Sequence, residues 1–144
     1  MGIGQWDVFL LAGRYTLLEQ TPLDKLFPAC EAVGTTIICG GSFNSGVLVG
    51  REMWNYDTAP NAIIKKVRAL NEVAAKFDVP LPAAALQFPL GHKIVTLVIP
   101  GPRSKNELNE ILEWHSFEVP AAFWTALKSK NLIHEDAPIS FTHL

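Results

Sequence analysis

The chain has few cysteines, no excess of positive charge and no long apolar run, and each absence removes a class of protein. Two cysteines in 144 residues are too few for a disulfide framework, and the first residues lack a basic region followed by a cleavage site. Twelve Lys and Arg against fourteen Asp and Glu give no basic field for nucleic acid or anionic lipid. No apolar run reaches the roughly 18–20 residues of a membrane span. We therefore expect a cytoplasmic protein with free thiols that binds neither nucleic acid nor membrane.

The sequence also lacks recognisable catalytic or metal-binding spacing. Its four histidines are dispersed, and none has a neighbour at metal-ligand distance along the chain, so we assign no metal. Glu107, Glu110 and Glu113 lie along one predicted helix. A solvent-exposed face is a simpler interpretation of them than a paired general acid and base. Cys30 and Cys39 lie in apolar segments, where thiols usually pack as small hydrophobes. We identify no catalytic residue from spacing alone.

What the sequence does contain is an alternation of short apolar runs with longer segments of helical period, which is typical of βαβ units and a parallel α/β sheet. Strands are predicted at Val8–Ala12, 35–39 and 94–99. The first is apolar at every position, which predicts burial on both faces. Helices are predicted at 23–33, 61–77, 81–90, 104–114 and 120–128, with a long loop around 53–57. No repeat or linker interrupts the chain, so we expect residues 1–144 to form a single domain.

Three parallel strands make an incomplete sheet, because each outer strand presents unpaired backbone groups. A second copy of the chain, a separate chain that supplies strands, or a longer parent protein could complete it. The apolar strands and their open edges favour a homodimer or a larger homo-oligomer.

Ligands of parallel α/β proteins lie beyond the carboxyl ends of the strands, which directs attention to residues 13–15, 40–46 and 100–104. In the third segment, Ser104 and Glu107 have the spacing of a capping box, with Arg103 and Lys105 beside the helix N-terminus. Such an end can bind a phosphate through backbone N–H groups and a guanidinium. The alternative is that Ser104 only caps the helix and Arg103 is solvated.

The second segment, GGSFNSG (40–46), is rich in glycine and small polar residues. Glycines allow the backbone to approach a ligand closely. The segment has neither the GKS/T ending of a P-loop nor a GxGxxG pattern, so an ordinary turn after a strand explains it equally well. By the same reasoning Arg14 could contact a ligand, whereas Tyr15 is more typical of core packing.

Five ordered motifs give a more specific resemblance. They are LLAGRYTLLEQ (10–20), GGSFNSGVL (40–48), VPLPAAALQFPLGH (79–92), VIPGPRS (98–104) and PAAFWTALKSKNLI (120–133). Together they resemble the C-terminal part of the aldo-keto reductases, and within them the branch of aldose and pyridoxal dehydrogenases.

The resemblance implies a partial (β/α)8 TIM barrel, in which this chain supplies strands six, seven and eight with their helices. It also implies NAD or NADP bound in extended form at the carboxyl end of the barrel. The residues implied at the pyrophosphate are Ser42, Phe43, Asn44, Ser45 and Gly46. Those implied at the adenosine end are Gly101, Arg103 and Ser104. The chain departs from the family pattern on the last cofactor helix, with Glu107 in place of a frequent Arg or Gln and Ile111 in place of a frequent Asn.

The activity implied by the resemblance is the oxidation of an aldose C1 hydroxyl to a lactone. The family's Asp, Tyr, Lys and His tetrad comes from earlier strands and has no match here, and hydride transfer needs such a proton partner. We therefore expect the isolated chain to be inactive and to meet a small sugar or aldehyde substrate only in a completed barrel. The alternative is a non-catalytic nucleotide-binding module, or a half-barrel that assembles with itself.

Overall fold

The computed structural model describes Gly4 and residues 6–139 of the chain. In the described residues the strands are β1 (Val8–Ala12), β2 (Thr36–Gly40), β3 (Met53–Trp54), β4 (Asp57–Thr58) and β5 (Val95–Ile99). The α-helices are α1 (Leu26–Val33), α2 (Asn61–Lys76), α3 (Leu81–Gln87), α4 (Lys105–Ser116) and α5 (Ala121–Ser129). Short 3₁₀ helices occupy Thr21–Leu23, Asn44–Val49 and Phe88–Gly91.

The three longer strands form one parallel sheet in the order β1-β2-β5. This confirms the predicted parallel α/β sheet, and each strand begins and ends within one residue of its predicted position. β2 pairs with β5 through a register shift after Ile37, so that Thr96 has no opposite residue. The Thr96 hydroxyl donates to the Ile37 carbonyl at 3.2 Å, which provides a hydrogen bond at this bulge.

The helices follow the predicted periods, with differences where proline or glycine alters the backbone. The predicted segment 23–33 divides into a 3₁₀ turn and α1, and Pro28 lies in the first turn of α1, where no N–H donor is needed. The predicted helix 81–90 ends as α3 at Gln87 and continues as 3₁₀ structure through Pro89. The helix α2 runs as predicted, with Leu70 and Val73 buried along its apolar face.

The prediction of a long loop around 53–57 is wrong in one respect, because β3 and β4 form a short antiparallel hairpin. Met53 pairs with Thr58 and Trp54 with Asp57, and the turn residues Asn55 and Tyr56 both have positive φ, at 50° and 66°. Positive φ at both positions is the geometry of a tight hairpin turn. Strands of two residues are too short to show alternation in a sequence.

The two faces of the main sheet differ in how much of their surface other parts of the chain bury. Ile37, Cys39 and Val95 are buried in a core that also contains Tyr15 and Trp124. On the other face Val8, Leu10, Leu97 and Ile99 are exposed, and Leu10 keeps 64% of its surface accessible. Burial of β1 on both faces is therefore not observed in this chain. Within residues 6–139 the outer edges of β1 and β5 pair with no other strand, so the sheet has the form of part of a barrel and not of a closed one.

Candidate functional site

The loops that follow β1, β2 and β5 converge with one face of α4 around a cavity of about 740 Å³. This volume lies within the range of small-molecule and cofactor sites. The cavity is at the carboxyl ends of all three parallel strands, where the sequence places the candidate site.

Most of the residues that the resemblance implies for cofactor binding lie together in the wall of this cavity. They are Ser42, Phe43, Asn44, Ser45, Gly46, Gly101 and Arg103. Ser104 is not in the wall and instead caps α4 directly beside it. The two groups, 42–46 and 101–104, are more than 50 positions apart along the chain, and the parallel sheet brings them together.

The loop after β2 takes its shape from three consecutive left-handed residues. Asn44, Ser45 and Gly46 have φ values of 46°, 59° and 105°. The Asn44 backbone N–H donates to the Gly41 carbonyl at 2.9 Å, and its side-chain Nδ2 donates to the Gly13 carbonyl at 3.3 Å. Asn44 therefore joins the loop after β1 to the loop after β2. Asparagine is one of the few residues that tolerate this conformation.

Two buried polar atoms in the cavity wall have no hydrogen-bond partner within the described structure. They are the Ser42 hydroxyl oxygen and the Asn44 Oδ1, on residues that are only 1% and 2% exposed. Buried polar groups are nearly always satisfied, because an unmet hydrogen bond costs about 1–3 kcal/mol. Their position beside the cavity suits a polar ligand that supplies the missing partners.

Other members of the loop are already engaged by the protein. The Ser45 hydroxyl accepts a hydrogen bond from the Tyr56 N–H at 3.0 Å, which ties the loop to the β3–β4 hairpin. The Phe43 ring packs edge-on against Trp114 of α4, with centroids 5.6 Å apart. These contacts hold the loop against the hairpin and against α4.

The N-terminus of α4 confirms the predicted cap but alters the second half of the capping box. The Ser104 hydroxyl accepts a hydrogen bond from the Glu107 N–H at 3.1 Å. The Glu107 carboxylate, however, accepts from the Arg103 N–H at 2.7 Å instead of returning to Ser104. Arg103 is also held through its side chain, because Nη2 donates to Glu107 Oε1 at 3.0 Å. The side chain of Arg103 is nevertheless 68% exposed, so its ion pair with Glu107 lies largely in solvent.

A second arginine reaches the same carboxylate from the loop after β2. Arg51 Nη2 donates to Glu107 Oε1 at 3.1 Å. Hydrogen bonds from Arg103, its backbone N–H and the charge of Arg51 lower the pKa of Glu107 to about 2. Glu107 is therefore ionised near neutral pH, and the mouth of the cavity contains two guanidinium groups around one carboxylate.

Sequence reasoning missed Arg51, Tyr56 and Trp114 as residues of the cavity wall. The position of Trp114 could have been predicted. Glu107, Ile111 and Trp114 are spaced by four and three residues, so they share one face of α4. The position of Arg51 could not, because it depends on the positive-φ turns before it.

The groups best suited to nucleophilic or proton chemistry elsewhere in the core do not reach the cavity wall. Burial raises the pKa of Cys39 to about 12 and also raises the pKa of Tyr15, so both stay protonated. Among the described residues no group of three His, Cys, Asp or Glu side chains is placed to hold a metal. The cavity wall therefore presents guanidinium groups, carboxylates and small polar side chains to a ligand.

Comparison with known proteins identifies the family. A model of the aldo/keto reductase family matches residues 4–132. The chain belongs to the aldo/keto reductase family. This confirms the resemblance, and its placement among the aldose and pyridoxal dehydrogenases agrees with two relatives. Pyridoxal 4-dehydrogenase of Microbacterium luteolum is 34% identical over 149 aligned positions, and D-threo-aldose 1-dehydrogenase of a Pseudomonas species is 36% identical over 132.

The alignments cover most of this chain and less than half of either relative. They include 92% and 88% of the chain, but 44% and 40% of the two dehydrogenases. The chain thus spans less than half the length of the curated relatives that it matches.

Solved aldo/keto reductase structures show the same relation in three dimensions. AKR11C1 from Bacillus halodurans superposes with a TM-score of 0.65 at 21% identity, over 93% of this chain and 46% of that one. The glycerol dehydrogenase AKR11B4 from Gluconobacter oxydans has the same score at 15% identity, over 99% and 47%. These likenesses confirm the predicted partial TIM barrel. No described helix is both long and apolar enough to cross a membrane.

Proposed function

We propose that this chain forms the dinucleotide-binding part of an aldo/keto reductase barrel and binds NAD or NADP in the cavity at its strand ends. The pyrophosphate would lie at the loop of residues 42–46, and the adenosine end would lie at Gly101, Arg103 and Ser104. The observation that carries the proposal is the pair of buried, unpartnered oxygens on Ser42 and Asn44 beside the cavity. A bound dinucleotide would supply the hydride acceptor or donor of the reaction.

The electrostatics of the cavity support an anionic ligand of this kind. Arg14, Arg51 and Arg103 reach its wall, together with Glu107 and Glu110. A pyrophosphate carries two negative charges, and arginines hold such groups by paired N–H donors. Phe43 and Trp114 add an aromatic surface against which a planar base could pack.

The reaction that we propose for the completed barrel is the NAD(P)-linked oxidation of an aldose C1 hydroxyl to a lactone. It is supported by the names of the relatives, an aldose dehydrogenase and a pyridoxal dehydrogenase. A small sugar or aldehyde would be the substrate. The proton donor or acceptor would come from barrel strands outside this chain, so we propose that the isolated chain does not turn over substrate.

A second candidate function is a non-catalytic nucleotide-binding module that closes its sheet by self-association. The open sheet face with Val8, Leu10, Leu97 and Ile99 favours it, because exposed apolar patches of this kind usually mark an interface. Light scattering on the purified chain tests the homo-oligomer that this candidate requires. A monomer at high protein concentration would contradict it.

The test of dinucleotide binding is titration calorimetry with ADP-ribose and NAD on the wild-type chain and on Ser42→Ala. Because the Ser42 hydroxyl has no hydrogen-bond partner among the described residues, its removal should leave the free energy of unfolding unchanged or slightly raised. It should weaken binding by about 3–10-fold if the hydroxyl bonds the ligand. Ser129→Ala, at the exposed end of α5, is the matched control. It should change neither the affinity for ADP-ribose nor the affinity for NAD.

Absence of any dinucleotide binding would refute the proposal. So would an affinity for both ligands that is unchanged in Ser42→Ala, because the proposal makes its hydroxyl a partner of the ligand. Separately, the wild-type chain is assayed with NAD or NADP and an aldose such as L-fucose. Turnover would contradict the expected inactivity of the isolated chain.

A further inference from the structure

The mouth of the cavity has a charge arrangement that the sequence motif does not indicate. The Glu107 carboxylate lies between two arginines, with Oε1 accepting from Arg103 Nη2 at 3.0 Å and from Arg51 Nη2 at 3.1 Å. Oε2 accepts from the Arg103 N–H at 2.7 Å. The backbone N–H and the guanidinium of Arg103 are therefore both already bonded to an anion of the chain itself.

A phosphate group at this end of the cavity would meet that anion. To use the guanidinium of Arg103 it would have to displace Glu107 or share the arginine with it, at a distance where like charges repel. The carboxylate does not leave by protonation, because its pKa of about 2 keeps it charged. Glu110 lies on the same side of α4 and adds a second negative charge to the cavity wall.

A hydroxyl group at the same position would be accommodated. An ionised carboxylate has about four lone-pair sites, and three are used by the two arginines. The remaining site on Oε2 can accept a hydrogen bond from a ribose hydroxyl. A phosphate monoester that is fully ionised has no proton to donate to it.

We propose that Glu107 makes this cavity select a dinucleotide with a free 2′-hydroxyl over one with a 2′-phosphate, that is, NAD over NADP. The inference rests on the proposed function, because it requires the adenosine ribose to lie at the start of α4. Arg103 then serves mainly to position Glu107 and not to bind an additional phosphate.

The experiment is titration calorimetry with two probes, ADP-ribose and 2′-phospho-ADP-ribose, on wild type, Glu107→Gln and Glu113→Gln. Glutamine is the suitable replacement because its side-chain oxygen can still accept from the Arg103 N–H while the negative charge is removed. Glu113 is an exposed glutamate on the same helix outside the cavity wall, so its variant removes the same charge elsewhere. Thermal unfolding of each variant checks that the fold is retained.

Wild type and Glu113→Gln should bind ADP-ribose at least about tenfold more tightly than the 2′-phosphorylated probe. In Glu107→Gln this ratio should fall to about threefold or less, chiefly through tighter binding of the 2′-phosphate. The wild-type ratio should also shrink as salt rises, because the repelling charges are partly exposed.

Equal or tighter binding of the 2′-phosphorylated probe by wild type would overturn the inference, and so would an unchanged ratio in Glu107→Gln. In both cases binding of either probe would leave the proposed dinucleotide function intact. If neither probe binds to any of the three proteins, the proposed function fails and the inference fails with it.

Discussion

Replacing Gly46 with alanine tests whether the loop after β2 positions Arg51. Gly46 has φ of 105°, and a Cβ built on it would lie 2.6 Å from Arg51 Cδ and 3.1 Å from Arg51 Cβ. The first distance is shorter than any real carbon contact, so the arginine must move. Its movement would break the ion pair with Glu107 across the mouth of the cavity.

Two terms contribute to the expected loss of stability. An alanine at positive φ costs about 1–2 kcal/mol relative to glycine. The crowding against Arg51 and the loss of a largely exposed ion pair add about 1 kcal/mol more. We therefore expect Gly46→Ala to lower the free energy of unfolding by about 2–3 kcal/mol.

Gly50 provides the matched control. It has φ of 85°, and a Cβ there would meet nothing within 4 Å. Gly50→Ala should therefore show the backbone cost alone, and both variants share the entropic effect of alanine on the unfolded chain. The free energies are measured by urea denaturation followed by tryptophan fluorescence. If the two variants agree within about 0.3 kcal/mol, the contact with Arg51 contributes nothing and the reasoning is refuted.

Three further predictions concern stability. Ser104→Ala should lower the free energy of unfolding by about 1 kcal/mol in urea, through loss of the α4 cap; no change would contradict the cap. Gln87→Leu should lower it by about 1–3 kcal/mol in the same assay, because the Gln87 amide donates to the Trp114 and Phe117 carbonyls at the end of α4. Burial lowers the pKa of His92, so the unfolded chain binds more protons. The free energy of unfolding should keep the full contribution of His92 above about pH 6.5 and lose it as the pH falls toward the lowered pKa. This loss should be steeper in the wild type than in His92→Phe.

The main strands and the longest helix were predictable because their signals are local. The strand at 94–99 is a β-branched run ended by prolines, and α2 has apolar residues at spacings of three and four. Such patterns depend only on near neighbours in the chain, and the structure places β5 and α2 within a residue of them.

The site was predictable only in part. The three loops at the strand ends were correctly expected to face one another, because parallel strands share one edge of the sheet. The ion pair between Glu107 and Arg51 could not be predicted. Arg51 is 56 positions away from Glu107 and is positioned by turns with positive φ at Gly46 and Gly50. The hairpin of β3 and β4 was also missed, because two-residue strands have no period.

The sequence by itself determined which segments become strands and helices, which loops carry the glycines and arginines, and to which family the chain is related. Those properties follow from backbone preference and from residues a few positions apart. The tertiary structure decided that the Ser42 hydroxyl and the Asn44 Oδ1 would be buried without a hydrogen-bond partner among the described residues, that one carboxylate would bind two arginines, and that one face of the sheet would stay open. Each of these depends on distances between atoms that are far apart in the chain, and packing fixes such distances only when the whole sheet has formed.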